Sequence, residues 1–198
     1  MTSTVKRSAA TRKTAAPAKT TLKKGAVKTT AAKKPYPDNT GDNTRPPQAT
    51  PKDAVDLLCA DHLAAGKCFK QYETMMKKGA SVAERQALAL KVCGMLTVHT
   101  TLEEEIFYPA ARAAGVDPDV LDEADVEHAG AKDLIAQITS GKPSDDHYDA
   151  KVKVLGDIVN HHVVEEHTEM FPRCRRSTMD LIALRGQLAS RKQELESA

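Results

Sequence analysis

The sequence predicts an all-α fold: an antiparallel up-down four-helix bundle with an extra C-terminal helix and a disordered basic N-terminal tail. Three observations carry this. From Pro51 onward the apolar residues step by three and four, the spacing that lines one face of a helix. Aromatic residues make up 4% of the chain and Trp is absent, so a core must come mainly from Leu, Val, Ile, Ala and Met. That palette suits helix-on-helix packing better than sheets, and no strand pattern competes with it.

The first helical segment carries Val55, Leu58, His62, Ala65, Phe69, Tyr72 and Met76 on one stripe, and Lys77-Lys78-Gly79 ends it. Ser81 and Glu84 form a capping box for the second, whose stripe is Leu88, Val92, Met95, His99, Leu102 and Ile106. Pro109 falls within its last turns and is expected to kink them, before Gly115 and Pro118 mark the next turn. The third shows Leu121, Ala124, His128, Ala131, Ile135 and Ile138, and Gly141-Lys142-Pro143 stops it. The fourth is expected to begin at Ser144 and carries Val152, Leu155, Val159, His162, Glu166 and Met170. A fifth segment, from Ser177 to about Glu196, has Leu181, Leu184, Leu188 and Leu195 and reads as an amphipathic helix packed outside the bundle. Short turns between the four make neighbours antiparallel.

The net charge of +2 hides a split. Residues 1–50 hold 11 Lys and Arg against Asp38 and Asp42, a net of +9, while the other 148 residues hold 18 basic and 25 acidic side chains, a net of −7. The tail has almost no large apolar side chain to offset chain entropy, so it is read as disordered. Its spaced Lys with Ala and Pro resembles the tails of linker histones, and phosphate charge alone would let it bind nucleic acid non-specifically. The division is a tail over 1–50, a metal-binding bundle over 51–176 and a C-terminal helix over 177–198. The four cysteines (Cys59, Cys68, Cys93, Cys174) form no CxxC pair and read as buried small apolar residues; with no cleavable apolar leader, a soluble cytoplasmic protein is expected. No apolar run approaches the roughly 20 residues that cross a bilayer, so no membrane partner is expected.

The two halves of the bundle repeat one design. Asp61-His62 is followed by His99-x-x-x-Glu103 and Phe107-Tyr108-Pro109; Glu127-His128 is followed by His162-x-x-x-Glu166 and Met170-Phe171-Pro172. The paired His stands ten residues before the Pro in both halves, and the lone-to-paired gap is 37 in one and 34 in the other. Residues i and i+4 lie about 40° apart around a helix and about 6 Å along it, so each His-x-x-x-Glu pair can reach one centre. The candidate metal ligands are therefore His62, His99, Glu103, His128, His162 and Glu166. A lone His on an apolar stripe is usually a hydrogen-bonded core residue, but four at repeat-related positions, with two carboxylates bordering buried Leu and Ile, fit a metal better. His161 with Glu165 keeps the same spacing about 100° away and stands as the alternate pair. His147 reads as exposed in a loop, His167 as off the stripe, and Tyr108 and Phe171 as core or as walls of a small-molecule pocket. Imidazole with carboxylate suits iron, Glu being a usual bridge between two cations. Neither a ferritin-type Glu-x-x-His pair nor HExxH is present.

The segments HTTLEEEIFYPAAR and HHVVEEHTEMFPRCR, with DLLCADHLAAGKCFKQYE as an opening helix, resemble the hemerythrin-like HHE cation-binding family over about residues 51–175. The resemblance implies a non-haem pair of iron ions in an antiparallel four-helix bundle, held by the six residues named above. In hemerythrins proper the third helix gives two His and the fourth His and Asp; here Lys132 stands four residues after His128, which separates this ligand set from the marine oxygen carriers. The expected function is binding or sensing of a small oxidant (O2, NO or peroxide). The alternatives are a catalase-like, peroxide-consuming di-iron enzyme and an iron storage or donation protein.

Overall fold

The computed structural model describes residues 52–198; the expectations for the basic tail lie outside the described residues. The elements in order are α1 (Ala54–Lys78), α2 (Val82–Leu102), a π-helical turn (Glu103–Phe107), α3 (Tyr108–Ala113), α4 (Pro118–Ser140), α5 (Tyr148–Glu165), a second π-helical turn (Glu166–Met170), α6 (Phe171–Arg176) and α7 (Leu181–Ser197). There is no strand among the described residues.

Local chemistry sets the ends. The Asp53 carboxylate accepts the Asp56 N–H at 2.9 Å to cap α1, and Gly79, at φ 68°, closes it with the Ala80 N–H on the Met75 carbonyl. Ser81 and Glu84 form the expected capping box on α2. The fourth long helix starts later than its sequence suggested. Lys142 donates its N–H to Asp145 Oδ2 at 2.7 Å, which closes a turn over 142–145, and His147 at φ 67° turns the chain left-handed just before Tyr148. His147 itself is exposed, as expected.

Pro109 produces a π turn rather than a simple kink. Proline has no N–H and its ring crowds the carbonyl four residues back, so an uninterrupted α-helix is disfavoured there. Instead the Tyr108 N–H bonds to the Glu103 carbonyl, five residues back, and the Phe171 N–H bonds to the Glu166 carbonyl in the same way before Pro172.

Each of the four long helices packs on two others: α1 on α2 and α5, α4 on α2 and α5. Their apolar faces form two separate clusters. One gathers Phe69, Tyr72, Val92, Leu96, Ile135, Ile138, Val152 and Leu155; the other Val55, Leu58, Leu102, Phe107, Leu121, Met170, Leu184 and Leu188. Along α1 and α4 the chain passes from the second cluster to the first, and along α2, as along α5 and the π turn that follows it, from the first to the second. The six candidate ligands sit around the changeover from one cluster to the other. Gly156 allows close approach of α5 to α1, since a Cβ there would lie 3.0 Å from the Phe69 ring.

One stripe assignment resolves differently. Met76 is 41% exposed and Met75 packs on the core in its place. A strict seven-residue repeat drifts about 20° per heptad on a straight helix, and three heptads separate Val55 from Met76. The last helix begins at Leu181 rather than Ser177, because the Asp180 carboxylate accepts the Ala183 N–H and caps it there; it packs on α1 and α2 through buried Leu184 and Leu188, with Leu181 and Leu195 partly buried.

Candidate metal centre

His62 on α1, His99 on α2, His128 on α4 and His162 on α5 meet inside the protein, with Glu103 and Glu166 at the first residue of each π turn. Glu103 and Glu166 are 0% and 1% exposed, which for two carboxylates demands positive charge or donors nearby. His62 Nε2 and His99 Nε2 face each other at 2.8 Å, and His128 Nε2 and His162 Nε2 at 3.2 Å. Glu103 Oε2 lies 3.1 Å from His99 Nε2 and 3.4 Å from His128 Nε2, so one oxygen serves both halves. Glu166 Oε2 lies 3.2 Å from His62 Nε2 and 3.5 Å from His162 Nε2 and does the same.

A surrounding shell aims each imidazole. His128 Nδ1 meets Glu104 at 3.0 Å, and His162 Nδ1 meets Glu127 at 3.0 Å. His99 Nδ1 faces Asp61 at 3.8 Å, an ionic contact too long for a hydrogen bond. His62 Nδ1 meets a fifth imidazole instead, His167 Nε2, at 3.1 Å. The pattern follows the repeat: Asp61 and Glu127 each precede a lone His, while Glu104 and His167 each follow a buried Glu and reach across to the other half. Lys132 holds Glu104 through two contacts of 2.8 and 2.9 Å, so the residue that breaks the hemerythrin ligand pattern has become a support of that shell.

Tyr108 is more than core. Its hydroxyl donates to Glu166 Oε1 at 3.0 Å and lies 3.3 Å from His128 Nε2. Phe171, its repeat counterpart, stacks on His62 with centroids 5.9 Å apart. The sequence did signal this, as the one polar-for-apolar exchange at the fifth position after each Glu, but an α-helical reading pointed it away from the Glu pair; the π turn brings it back. His167, read as off the stripe, is half-buried against the His62 ring. The alternate pair does not join the centre: His161 is 40% exposed and lies with Glu165 and Glu123 outside it. All four cysteines are free thiols outside these clusters.

The electrostatics match a cation site. Burial alone would lower the His99 pKa, but Glu103 and Asp61 outweigh it and push it up to about 10. His162 rises to about 9 because Glu166 and Glu127 overcome the same burial. Against its own burial, Glu103 is held well below the usual carboxylate range by His99 and His128. His62 is lowered by burial and by His99, and His167 falls to about 4 through burial and His62. Burial, Glu103 and Glu166 raise the Tyr108 phenol well above its ordinary value. Glu103 Oε1 and Glu166 Oε2 are buried without a hydrogen-bond donor among the described residues. Opposed imidazole nitrogens and orphaned carboxylate oxygens are what a bound cation would satisfy. Two ligand groups result: His62, His99, Glu103 and Glu166; and Glu103, His128 and His162.

Comparison with known proteins agrees. The hemerythrin HHE cation binding domain family matches residues 53–174. The chain belongs to this family. A crystal structure of a hemerythrin HHE cation binding domain-containing protein from Mycobacterium kansasii superposes with a TM-score of 0.60 at 22% identity, covering 73% of this chain and 88% of that one, and so shares the fold. A Nostoc sp. protein described as a DNA nickase is 34% identical over 82 residues, 41% of this chain; the chain spans only 23% of that relative's length. As an HHE domain the protein carries His/Glu clusters that can bind metal, and no helix among the described residues is long and apolar enough to cross a membrane.

Proposed function

We propose that the chain is an antiparallel up-down four-helix bundle holding a pair of iron ions, and that it binds or senses a small oxidant such as O2, NO or peroxide there. The observation that carries this is the convergence of four imidazole Nε2 atoms on two buried carboxylates, each of which faces both halves. His62 and His99 would hold one ion, His128 and His162 the other, with Glu103 and Glu166 between them. The alternation of the two apolar clusters along α1, α2, α4 and α5 with its π turn supports the antiparallel order. Imidazole with carboxylate, and no thiolate in either group, supports iron over copper(I) or structural zinc.

When bound, the iron pair supplies an exchangeable coordination position and the electrons for oxidant chemistry. The protein supplies the rest. A cavity of about 20 Å³, lined by the four ligand imidazoles with Leu96, Thr100 and Val159, has room for a water-sized molecule against the centre. A larger surface cleft of about 390 Å³ brings solvent to His167, which touches His62. The test is the near-ultraviolet spectrum of iron-loaded protein: a band of oxo-bridged iron(III) that shifts on adding azide or peroxide is expected, and a featureless, unresponsive spectrum would refute the reading.

Turnover of peroxide is the second reading. It is favoured by Tyr108, a buried hydroxyl held between Glu166 and His128 where it can give a proton. Steady oxygen release from hydrogen peroxide by the iron-loaded protein would select it over binding alone.

A further inference from the structure

The repeat that builds the buried centre also shows where the two halves part. Aligning His99 with His162 and His62 with His128 pairs Leu57, Val98 and Leu102 with Glu123, His161 and Glu165. In the first half these three apolar residues belong to the cluster that seats Leu184 and Leu188 of α7. In the second half the same three positions carry two carboxylates and an imidazole, and they face solvent.

The replacements are not scattered charges. His161 and Glu165 sit four residues apart on α5, the same His-x-x-x-Glu spacing that the buried ligands use, with Nε2 and Oε1 3.0 Å apart. Glu123, one turn before Glu127 on α4, brings a carboxylate so that ligand atoms of all three residues lie within 4.8 Å of one another. Glu127 lies between this group and the interior. Its Oε1 is 3.4 Å from His161 and its Oε2 is 3.0 Å from His162 Nδ1, so a single carboxylate touches the surface cluster and a buried ligand together. In the first half the corresponding Asp61 is instead taken by Lys192 of α7, a cation supplied by the chain itself.

We propose that Glu123, His161 and Glu165, backed by Glu127, form a surface site for a divalent transition-metal cation, and that this site loads the buried centre. One imidazole with carboxylates suits iron(II), manganese(II) or zinc(II). Part-exposure suits a site that captures and releases, since three protein ligands leave a coordination position open to water. The loading role rests on the metal reading of the buried centre; the existence of the surface site does not.

Equilibrium dialysis of the iron-loaded full-length protein against zinc(II) tests the site. Wild type should take up about one zinc per chain that His161→Ala and the double variant Glu123→Gln/Glu165→Gln both lose, while His147→Ala, at an exposed imidazole elsewhere, keeps it. All variants should retain their iron. Equal zinc in wild type and both cluster variants would overturn the site, and loss of iron with the zinc would place His161 in the buried centre and overturn its separateness. For loading, the initial rate of iron(II) uptake by metal-free protein should fall several-fold in the same variants with the final iron content unchanged; an unchanged rate would overturn the loading role. If wild type takes up no iron at all, the di-iron reading fails, and zinc binding to the unloaded chain still decides the surface site.

Discussion

The Tyr108 hydroxyl donates to Glu166 Oε1 at 3.0 Å, so a side chain of one half of the repeat is fastened to the buried carboxylate of the other. Phe171, at the matching place in the second half, has no hydroxyl to return the bond. The centre is therefore symmetric in its candidate ligands and asymmetric in its proton donors.

That asymmetry predicts the behaviour of Tyr108→Phe. The ring still fills its place, so the fold and iron content should persist. Leaving a buried carboxylate oxygen without its donor should destabilise the metal-free protein by about 1–3 kcal/mol. The reaction with peroxide should slow by about tenfold or more, as loss of a positioned proton donor would require. Stopped-flow spectra of both proteins check this; equal rates would remove Tyr108 from the chemistry.

Protons and metal should compete for the centre. His99 is raised to about 10 and His162 to about 9 in the metal-free fold, above the ordinary imidazole value of 6.5. Groups raised in this way stabilise the fold fully below their unfolded pKa and lose that contribution as pH rises through the folded values. His62 and His167 are lowered, so their share is lost as pH falls below the ordinary imidazole range. Metal-free protein should thus melt at a lower temperature at pH 9–10 than near pH 6.5, a decline that metal abolishes by taking the protons' place. Metal addition in weakly buffered solution near pH 8 should release protons, and their absence would contradict this.

At the doublet, His162→Ala should remove iron and His161→Ala should not. His162 is 6% exposed among the ligand atoms, whereas the His161 side chain is 40% exposed. Iron analysis of the two purified variants decides it. Greater iron loss from His161→Ala would reverse the register.

The net charge of +9 in residues 1–50 predicts a separable electrostatic contact with nucleic acid. Full-length protein should retard DNA in a salt-sensitive way, and protein lacking residues 1–50 should not. Helicity, melting temperature and iron content should be the same in both. Equal retardation would exclude the tail as the contact.

Much of the site was legible because its signals are periodic. The step of three and four located His62, His99, His128 and His162 on inward faces, and the ten-residue interval to Pro109 and Pro172 selected His162 over its neighbour. What the pattern could not convey was a change of helical pitch. Extrapolating 3.6 residues per turn beyond Glu103 points Tyr108 elsewhere; the π turn rotates it onto the centre. The start of α5 was misplaced because Asp145 and His147 make a local turn that competes with helix. The surrounding shell was partly visible, since Asp61 and Glu127 each precede a lone His, but the reach of Glu104 across to His128 needs the fold.

The central claim, a metal pair shared by two buried carboxylates, is tested most directly by iron content per chain in wild type, Glu103→Ala and Glu166→Ala, each purified after growth in iron. Each carboxylate has an oxygen within 3.5 Å of an imidazole from both halves, so removing either should disrupt both positions. Wild type should hold about two irons, the full complement of two His-pair half-sites, and each variant close to none, with circular dichroism still helical. One tightly held zinc in wild type, or variants that keep one iron each, would contradict the account.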